Sequence, residues 1–215
     1  MSHPLSEALS ALLGPDAGVG YAAIDGPGGL FPEETPAIAR AIPNRQAEFA
    51  AGRRAARAAL AGLGQPAVAL PVGERRAPVW PSGIVGAITH DKGHALAAVL
   101  SAKASLGLGI DLTEAAPLPG KTRLEILPFE AEADFDDLTA RAGFSAKESL
   151  FKALFPSIRD YFGFSSALVV PDLGAGCFKI TLTRPLGAFP AGQCWQGRIA
   201  ETDNLVLTAL RINRP

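Results

Sequence analysis

The order of the predicted elements restricts the fold more than any other feature, because a helix followed by three short strands occurs twice. The helical spacing of apolar residues predicts helices at residues 43–63 and 145–155. Short apolar or β-branched segments predict the strands, three after each helix, at 84–90, 94–101, 106–112, 177–184, 193–201 and 205–212. We therefore expect an α/β (α+β) protein of two halves, each a helix packed on a small, mainly antiparallel sheet.

The two halves are expected to span residues 1–103 and 104–215, and the repeat is argued from element order alone. A connection at 115–143, partly helical near 130–142, is predicted from its prolines and acidic residues.

Composition excludes several classes of protein. Lys plus Arg (20) nearly balance Asp plus Glu (21), so no overall basic field exists to hold nucleic acid or anionic lipid. No apolar run approaches the roughly 18 residues of a membrane span, and no basic region precedes an apolar stretch at the N-terminus. Cys177 and Cys194 show no CxxC spacing, which favours two reduced thiols in the core and a cytoplasmic protein.

A Gly-x-Gly pattern at Gly18 and Gly20 matches a dinucleotide-binding fingerprint in spacing. That fingerprint needs a strand before it and a helix after it, whereas Asp25 and a run of glycine and proline follow here. The pattern is therefore not interpreted as a nucleotide site.

One acid lies on an otherwise bare face of a predicted strand. In residues 106–115, Gly107, Gly109, Asp111 and Thr113 share one face, and leucine and isoleucine occupy the other. Two glycines beside a carboxylate leave room for a hydrated cation that bridges to a phosphate. A solvated aspartate at a strand end explains the same pattern.

A second acid lies on the second helix. Glu148 and Lys152 are one turn apart on the same face, and Lys147 lies on the adjoining one. This arrangement puts a carboxylate and an ammonium on one edge of the helix. Ser145 and Glu148 also match a capping box, and Glu148 with Lys152 matches an ordinary surface pair.

Side chains suited to a phosphate occur in the first half. They are donors at the end of a predicted strand and arginines on the first helix and in the loop that follows it, namely Thr89, His90, Arg45, Arg53 and Arg76. A surface histidine and arginines that keep a helix face hydrated are the alternative interpretation.

Four segments in this order carry a specific resemblance: RQAEFAAGRRAAR at 45–57, APVWPSGIVGAITH at 77–90, GID at 109–111 and FSAKESLFKALFP at 144–156. Together they resemble 4′-phosphopantetheinyl transferases of the siderophore-synthase type. The resemblance implies a monomer of pseudo-twofold α/β fold that binds coenzyme A in the cleft between its halves. It also implies a Mg²⁺-dependent transfer of phosphopantetheine to a serine of an acyl or peptidyl carrier protein, with release of adenosine 3′,5′-bisphosphate.

The resemblance also implies residue roles. Asp111 and Glu148 match its metal ligands, and the matches to its coenzyme A contacts are Lys147, Lys152, Thr89, His90, Arg45 and Arg53, to which Arg76 of the nearby loop is added. Glu148, directly or through a water on the metal, is the expected base for the serine proton, and Lys152 would offset developing charge. The family's siderophore members favour nonribosomal peptide synthesis as the setting.

One departure concerns the metal site. The family usually has Asp-x-Glu, whereas this chain has Thr113 two residues after Asp111, followed by Glu114. Glu114 points to the opposite face of a continuing strand, and a threonine hydroxyl supplies no negative charge. We expect weaker magnesium affinity with Thr113 as the third ligand. A coenzyme A-binding or carrier-binding protein of the same fold with weakened catalysis is the alternative, and an unrelated α/β scaffold is a third.

Overall fold

The computed structural model describes residues 2–214. Its helices are α1 (Pro4–Leu13), α2 (Pro43–Gly62), α3 (Gly120–Ile126) and α4 (Asp137–Ile158). Its strands are β1 (Gly18–Ala23), β2 (Ile84–Asp91), β3 (His94–Ser101), β4 (Ser105–Glu114), β5 (Ala167–Asp172), β6 (Cys177–Leu182), β7 (Cys194–Thr202) and β8 (Leu205–Asn213). Contacts divide the chain into a first unit that extends to Leu106 and a second unit, Gly107–Asn213.

The first unit is an antiparallel sheet of order β1-β3-β2 with α2 packed on it. The buried face of α2 is built from alanines, which keep the helix axis close to the sheet. A Cβ added at Gly18 or Gly20 would lie 2.1 Å from the Ala59 carbonyl oxygen or 2.0 Å from that of Ala55. The Gly-x-Gly pattern of β1 therefore serves close packing of strand against helix.

The second unit is a five-stranded sheet of order β4-β8-β7-β6-β5, and α4 packs against it. A Cβ at Gly107 or Gly109 would lie 1.9 Å from the Ala153 carbonyl oxygen or 1.8 Å from that of Ser149. The same contact between a glycine-containing strand and a helix thus occurs in both units. The repeat is visible at the level of residues, and the predicted α/β fold of two helix-on-sheet halves is confirmed.

Two predictions about these elements were wrong. The segment at 106–112 was grouped with the two strands before it as three antiparallel strands, but β4 lies beside β8 in the sheet of the second unit. Helix α4 begins at Asp137, because Asp136 caps it by accepting a hydrogen bond of 2.7 Å from the Thr139 amide. Ser145 therefore lies inside the helix, and the capping-box interpretation fails.

A buried glutamate joins a loop to the helix in the first unit. Glu34 is fully buried and accepts hydrogen bonds of 2.8 Å from the Phe31 and Leu70 amides. Arg57 of α2 forms an ion pair of 2.8 Å with it, and the Arg57 guanidinium lies 4.6 Å from the centroid of the Phe31 ring. This cluster holds the loop before α2 against the helix.

The second unit repeats the cluster with a lysine. Glu132 is fully buried and accepts hydrogen bonds from the Phe129 amide at 3.3 Å and the Val169 amide at 3.0 Å. Lys147 of α4 forms an ion pair of 2.8 Å with it, and its ammonium lies 5.2 Å from the Phe129 ring centroid. A Phe-x-x-Glu pattern marks both clusters in the sequence.

The predicted division of the chain after residue 103 falls in the turn before β4 and stays a prediction. Cys177 is partly buried and Cys194 is exposed, so the expectation of two core thiols was wrong, although both cysteines are free. Within residues 2–214, no helix combines the length and hydrophobicity needed to cross a bilayer.

Candidate functional site

A pocket of about 170 Å³ in the first unit brings together four of the residues predicted to contact coenzyme A, namely Arg45, Arg53, Arg76 and His90. It lies between α2, the end of β2 and the loop that contains Arg76. Three guanidinium groups around a small pocket suit the oxygen atoms of a phosphate.

Arg45 is held at the edge of this pocket by two neighbours. Its Nη1 lies 3.0 Å from Glu48 Oε2 and 3.1 Å from His90 Nε2. Because a guanidinium only donates, His90 must accept at Nε2 in this arrangement. Arg45 and His90 therefore form one hydrogen-bonded unit in which the guanidinium is pre-oriented.

Arg53 is the most buried cation of the pocket. Its Nε donates to the Leu70 carbonyl oxygen at 2.7 Å, and its guanidinium lies 4.1 Å from the centroid of the Phe49 ring. Burial lowers the pKa of Arg53 to about 10, although Glu34 acts to raise it. The group stays charged at neutral pH and is poorly hydrated, so an anion in the pocket would interact strongly with it.

The other two predicted contacts of the first unit differ. Arg76 and its neighbour Arg75 have positive φ angles of 68° and 48°, a backbone conformation that is strained for arginine and tends to occur at functional sites. Thr89 is buried and follows the pocket residue Ile88 along β2, so its side chain points to the opposite face of the strand. Thr89 is thus not among the residues that line this pocket, and its contact with coenzyme A stays a prediction.

The two predicted metal ligands lie in the second unit, Asp111 on β4 and Glu148 on α4. Lys152 of α4 donates at 2.9 Å both to Asp111 Oδ1 and to the Ile110 carbonyl oxygen. Burial raises the pKa of Glu148, Lys152 lowers it, and the Asp111 charge raises it further. The two carboxylates are therefore near enough to repel each other.

The space beside Asp111 is smaller than the sequence suggested. Gly107 and Gly109 were expected to leave room for a hydrated cation, but the backbone of α4 fills that room. The glycines instead bring α4 close enough for Ser145 and Lys152 to reach Asp111.

The donor chemistry suits one hard cation. Two interacting carboxylates and the buried Thr113, on the same face of β4 as Asp111, provide oxygen ligands only, as Mg²⁺ prefers. In residues 2–214, no cluster of three or more His, Cys, Asp or Glu side chains is arranged to hold a metal. The donor set fits a magnesium ion, and the weaker affinity expected from Thr113 stays a prediction.

Lys147 is surrounded by polar groups of the second unit. It is almost fully buried and is paired with Glu132, and its ammonium also donates to the carbonyl oxygens of Ile126 at 2.9 Å and Phe164 at 3.3 Å. These three partners use the three donors of an ammonium group. These partners hold the ammonium in the interior of the second unit, while Lys147 also lines the cavity beside Glu148, and its contact with coenzyme A stays a prediction.

A cavity of about 150 Å³ adjoins Glu148 in the second unit. Its wall is mainly aromatic and includes Phe151, Tyr161, Phe162 and Phe164. The ring centroids of Phe151 and Phe162 are 5.2 Å apart, so the wall is a packed aromatic cluster. An apolar neighbourhood of this kind explains the burial that raises the pKa of Glu148.

Three buried hydroxyl groups near Asp111 were missed by the sequence analysis. They belong to Ser145 and Ser149 of α4 and Thr208 of β8, and all three are fully buried. The spacing of Ser145, Ser149 and Ala153 places three small residues on one face of a helix, which was the available signal. Thr208 has no local signal, because its partners are far away in the sequence.

Comparison with known proteins gives consistent matches. The family model "4′-phosphopantetheinyl transferase N-terminal domain" matches residues 33–100. The chain is 41% identical over 198 residues to "4′-phosphopantetheinyl transferase Svp" of Streptomyces mobaraensis, covering 86% of this chain and 80% of that protein. It is 36% identical over 194 residues to "4′-phosphopantetheinyl transferase Npt" of Nocardia iowensis, covering 83% and 87% of the two chains.

A third relative extends the comparison to siderophore synthesis. "Enterobactin synthase component D" of Salmonella typhi is 30% identical over 174 residues, covering 76% of this chain and 70% of the relative. Matches of this extent exclude an unrelated scaffold that shares motifs by chance. The chain belongs to the 4′-phosphopantetheinyl transferase family of enzymes.

Proposed function

We propose that this chain transfers the 4′-phosphopantetheine group from coenzyme A to a serine of an acyl or peptidyl carrier protein, with Mg²⁺, and releases adenosine 3′,5′-bisphosphate. The observation that carries the proposal is the pair of interacting carboxylates, Asp111 and Glu148, with Lys152 bonded to the first. Relatives that are named 4′-phosphopantetheinyl transferases support the reaction.

The pocket of the first unit supports coenzyme A as the donor. Coenzyme A carries a 3′-phosphate and a pyrophosphate, and Arg45, Arg53, Arg76 and His90 line one small pocket. We assign these four residues to phosphate binding. Binding of coenzyme A between the two halves, as the resemblance implies, stays a prediction.

Asp111 and Glu148 would hold the metal ion, with the Thr113 hydroxyl as a neutral third ligand. When bound, Mg²⁺ would offset the negative charge that develops on the pyrophosphate oxygens of coenzyme A. Lys152 uses two of its three donors on Asp111 and the Ile110 carbonyl, and its third donor would be available to a phosphate oxygen. Positioning and electrostatic stabilisation would then supply most of the rate.

Glu148 is proposed as the base. The serine oxygen forms a bond to the β-phosphorus while the bond to the bisphosphate leaving group breaks, and the serine proton passes to the Glu148 carboxylate. Burial raises the pKa of Glu148, so this carboxylate is a stronger base than an exposed glutamate. The aromatic cavity beside Glu148 offers an apolar surface on which the pantetheine arm would lie.

The proposal is tested by incubating the protein with an apo-carrier protein, coenzyme A and Mg²⁺ and weighing the carrier. We expect the carrier to gain the mass of one phosphopantetheine. Asp111→Ala and Glu148→Ala should nearly abolish the gain while the circular dichroism spectrum is kept. Glu201→Ala removes an exposed carboxylate of the same unit and should leave the rate unchanged. Full activity in both site variants contradicts the proposed mechanism.

Thr113 favours a second candidate function, a coenzyme A-binding or carrier-binding protein with weakened catalysis. Binding of coenzyme A without any mass gain on a range of carriers would indicate this function. Thr113→Glu restores a third carboxylate, so we expect the Mg²⁺ concentration for half-maximal rate to fall in this variant. An identical magnesium dependence would show that position 113 is not a ligand.

The setting of the reaction is part of the proposal. We assign the chain to the cytoplasm as a monomer, and to carriers of nonribosomal peptide synthesis because one relative is named enterobactin synthase component D. Assaying a peptidyl carrier against a fatty-acid carrier tests this choice, and a faster reaction with the fatty-acid carrier would contradict it.

A further inference from the structure

A chain of hydrogen-bonded hydroxyl groups lies beneath Asp111. Ser145 Oγ donates to Asp111 Oδ2 at 2.9 Å. Thr208 Oγ1 lies 2.9 Å from Ser145 Oγ and 2.8 Å from Ser149 Oγ. The three hydroxyl residues are fully buried and Asp111 is 7% exposed. These hydrogen bonds therefore connect α4 and β8 to the carboxylate away from solvent.

The direction of the donors follows from counting protons. Asp111 accepts from Lys152 as well, so its carboxylate is an acceptor on both oxygens. A hydroxyl group has one proton. Because Ser145 gives its proton to Asp111, it must accept from Thr208, and Thr208 in turn must accept from Ser149. The result is a one-way series of donors that ends on Asp111, and each donor in such a series strengthens the next.

Packing alone does not explain these hydroxyls. Gly109 packs against the Ser149 carbonyl oxygen, as Gly20 packs against the Ala55 carbonyl oxygen in the first unit. Ser149 and Ala55 therefore occupy equivalent positions in the two units. One turn earlier, Ser145 aligns with Ala51, and both alanines are fully buried. The first unit therefore makes the same contact between strand and helix without hydroxyl groups.

The partner at the end of the series also differs between the units. Asp111 follows Gly109 at the same spacing at which Ala22 follows Gly20. Of the two strand–helix contacts, the one with buried hydroxyl groups is the one whose strand has an acidic residue. The hydroxyl groups are therefore associated with Asp111 and are not required for the contact itself.

We propose that Ser149, Thr208 and Ser145 form a positioning series that holds the Asp111 carboxylate in one orientation for a divalent cation, an inference that rests on the proposed function. Ser145 donates to one oxygen of this carboxylate and Lys152 to the other, so both oxygens are held in place. Hydrogen-bond partners behind a metal ligand typically account for about 10–100-fold in metal affinity.

The experiment measures metal binding directly. The full chain is titrated calorimetrically with Mn²⁺, with and without coenzyme A, and the Mg²⁺ dependence of transfer is measured in parallel. We expect Ser145→Ala to weaken Mn²⁺ binding about 10-fold and Thr208→Val somewhat less. Thr208→Ser keeps the hydroxyl and should remain within about twofold of the wild type.

Ser105→Ala is the matched control, because the Ser105 hydroxyl is also fully buried, on the same strand as Asp111, and has no hydrogen-bond partner among residues 2–214. Its Mn²⁺ affinity should be unchanged. Ser145→Ala places in α4 the residue that α2 has at the aligned position, so the variant should fold, as its melting curve would show.

The outcomes separate the two proposals. Unaltered Mn²⁺ affinity in Ser145→Ala and Thr208→Val overturns the positioning role and leaves the hydroxyls as structural groups. Wild-type protein that binds no Mn²⁺ in either titration overturns it as well. Wild-type protein that binds Mn²⁺, with the expected loss in the variants, but transfers nothing to any carrier supports the positioning series and contradicts the transferase function.

Discussion

Replacing Lys147 with methionine tests whether this lysine supports the fold or binds coenzyme A. The variant leaves the Glu132 carboxylate fully buried with two backbone amides as its remaining partners among residues 2–214. Removing one member of a buried ion pair typically costs about 3–5 kcal/mol. With a urea dependence of about 1–3 kcal/mol per molar, the unfolding midpoint should fall by about 1–5 M. Urea unfolding followed by circular dichroism measures the shift.

Two further variants separate a structural role of Lys147 from a binding role. The double variant Lys147→Met with Glu132→Gln also removes the unpaired, buried Glu132 carboxylate, so it should be more stable than Lys147→Met alone. Lys179→Met removes an exposed lysine of the same unit and should change the unfolding free energy by less than about 0.5 kcal/mol. A Lys147→Met protein of wild-type stability whose KM for coenzyme A rises tenfold would refute the structural role and support the original prediction.

Three other changes test separate parts of the structure. Gly109→Ala puts a Cβ 1.8 Å from a carbonyl oxygen of α4, so we expect the free energy of unfolding to fall by about 1–3 kcal/mol or more, together with slower transfer. The control Gly120→Ala meets no atom within 4 Å, so its thermal melting curve should be close to that of the wild type. Hydrogen bonds from Thr139 lower the pKa of Asp136, so its stabilising effect is present above the unfolded-state pKa and is lost as pH falls through the folded-state value. Asp136→Asn should therefore remove this part of the acid dependence of unfolding, and an unchanged pH profile would contradict the assignment. Arg53→Lys keeps the charge but not the geometry of the guanidinium, so KM for coenzyme A should rise at least about tenfold, and an unchanged KM would exclude Arg53 from the phosphate pocket.

The sequence by itself determined the elements whose signals are local. Helix α2 was predicted almost to its last residue, because the spacing of apolar residues and a following glycine and proline mark a helix and its end. The hairpin of β2 and β3 was predicted for a similar reason, since a short turn with Gly93 separates two apolar runs. Arg45, Arg53, Arg76 and His90 were found as a group because their segments carry specific motifs.

The tertiary structure alone decided the partners of these residues. Asp111, Ser145 and Thr208 are joined by hydrogen bonds although they are far apart in sequence, and no local pattern records such a contact. The same holds for Lys147, whose motif predicts a ligand contact but gives no sign of its ion pair with Glu132. Side-chain chemistry and periodicity are local properties, whereas burial and pairing depend on which distant segments meet. The sequence thus named the acids, and the packing of α4 on β4 decided what surrounds them.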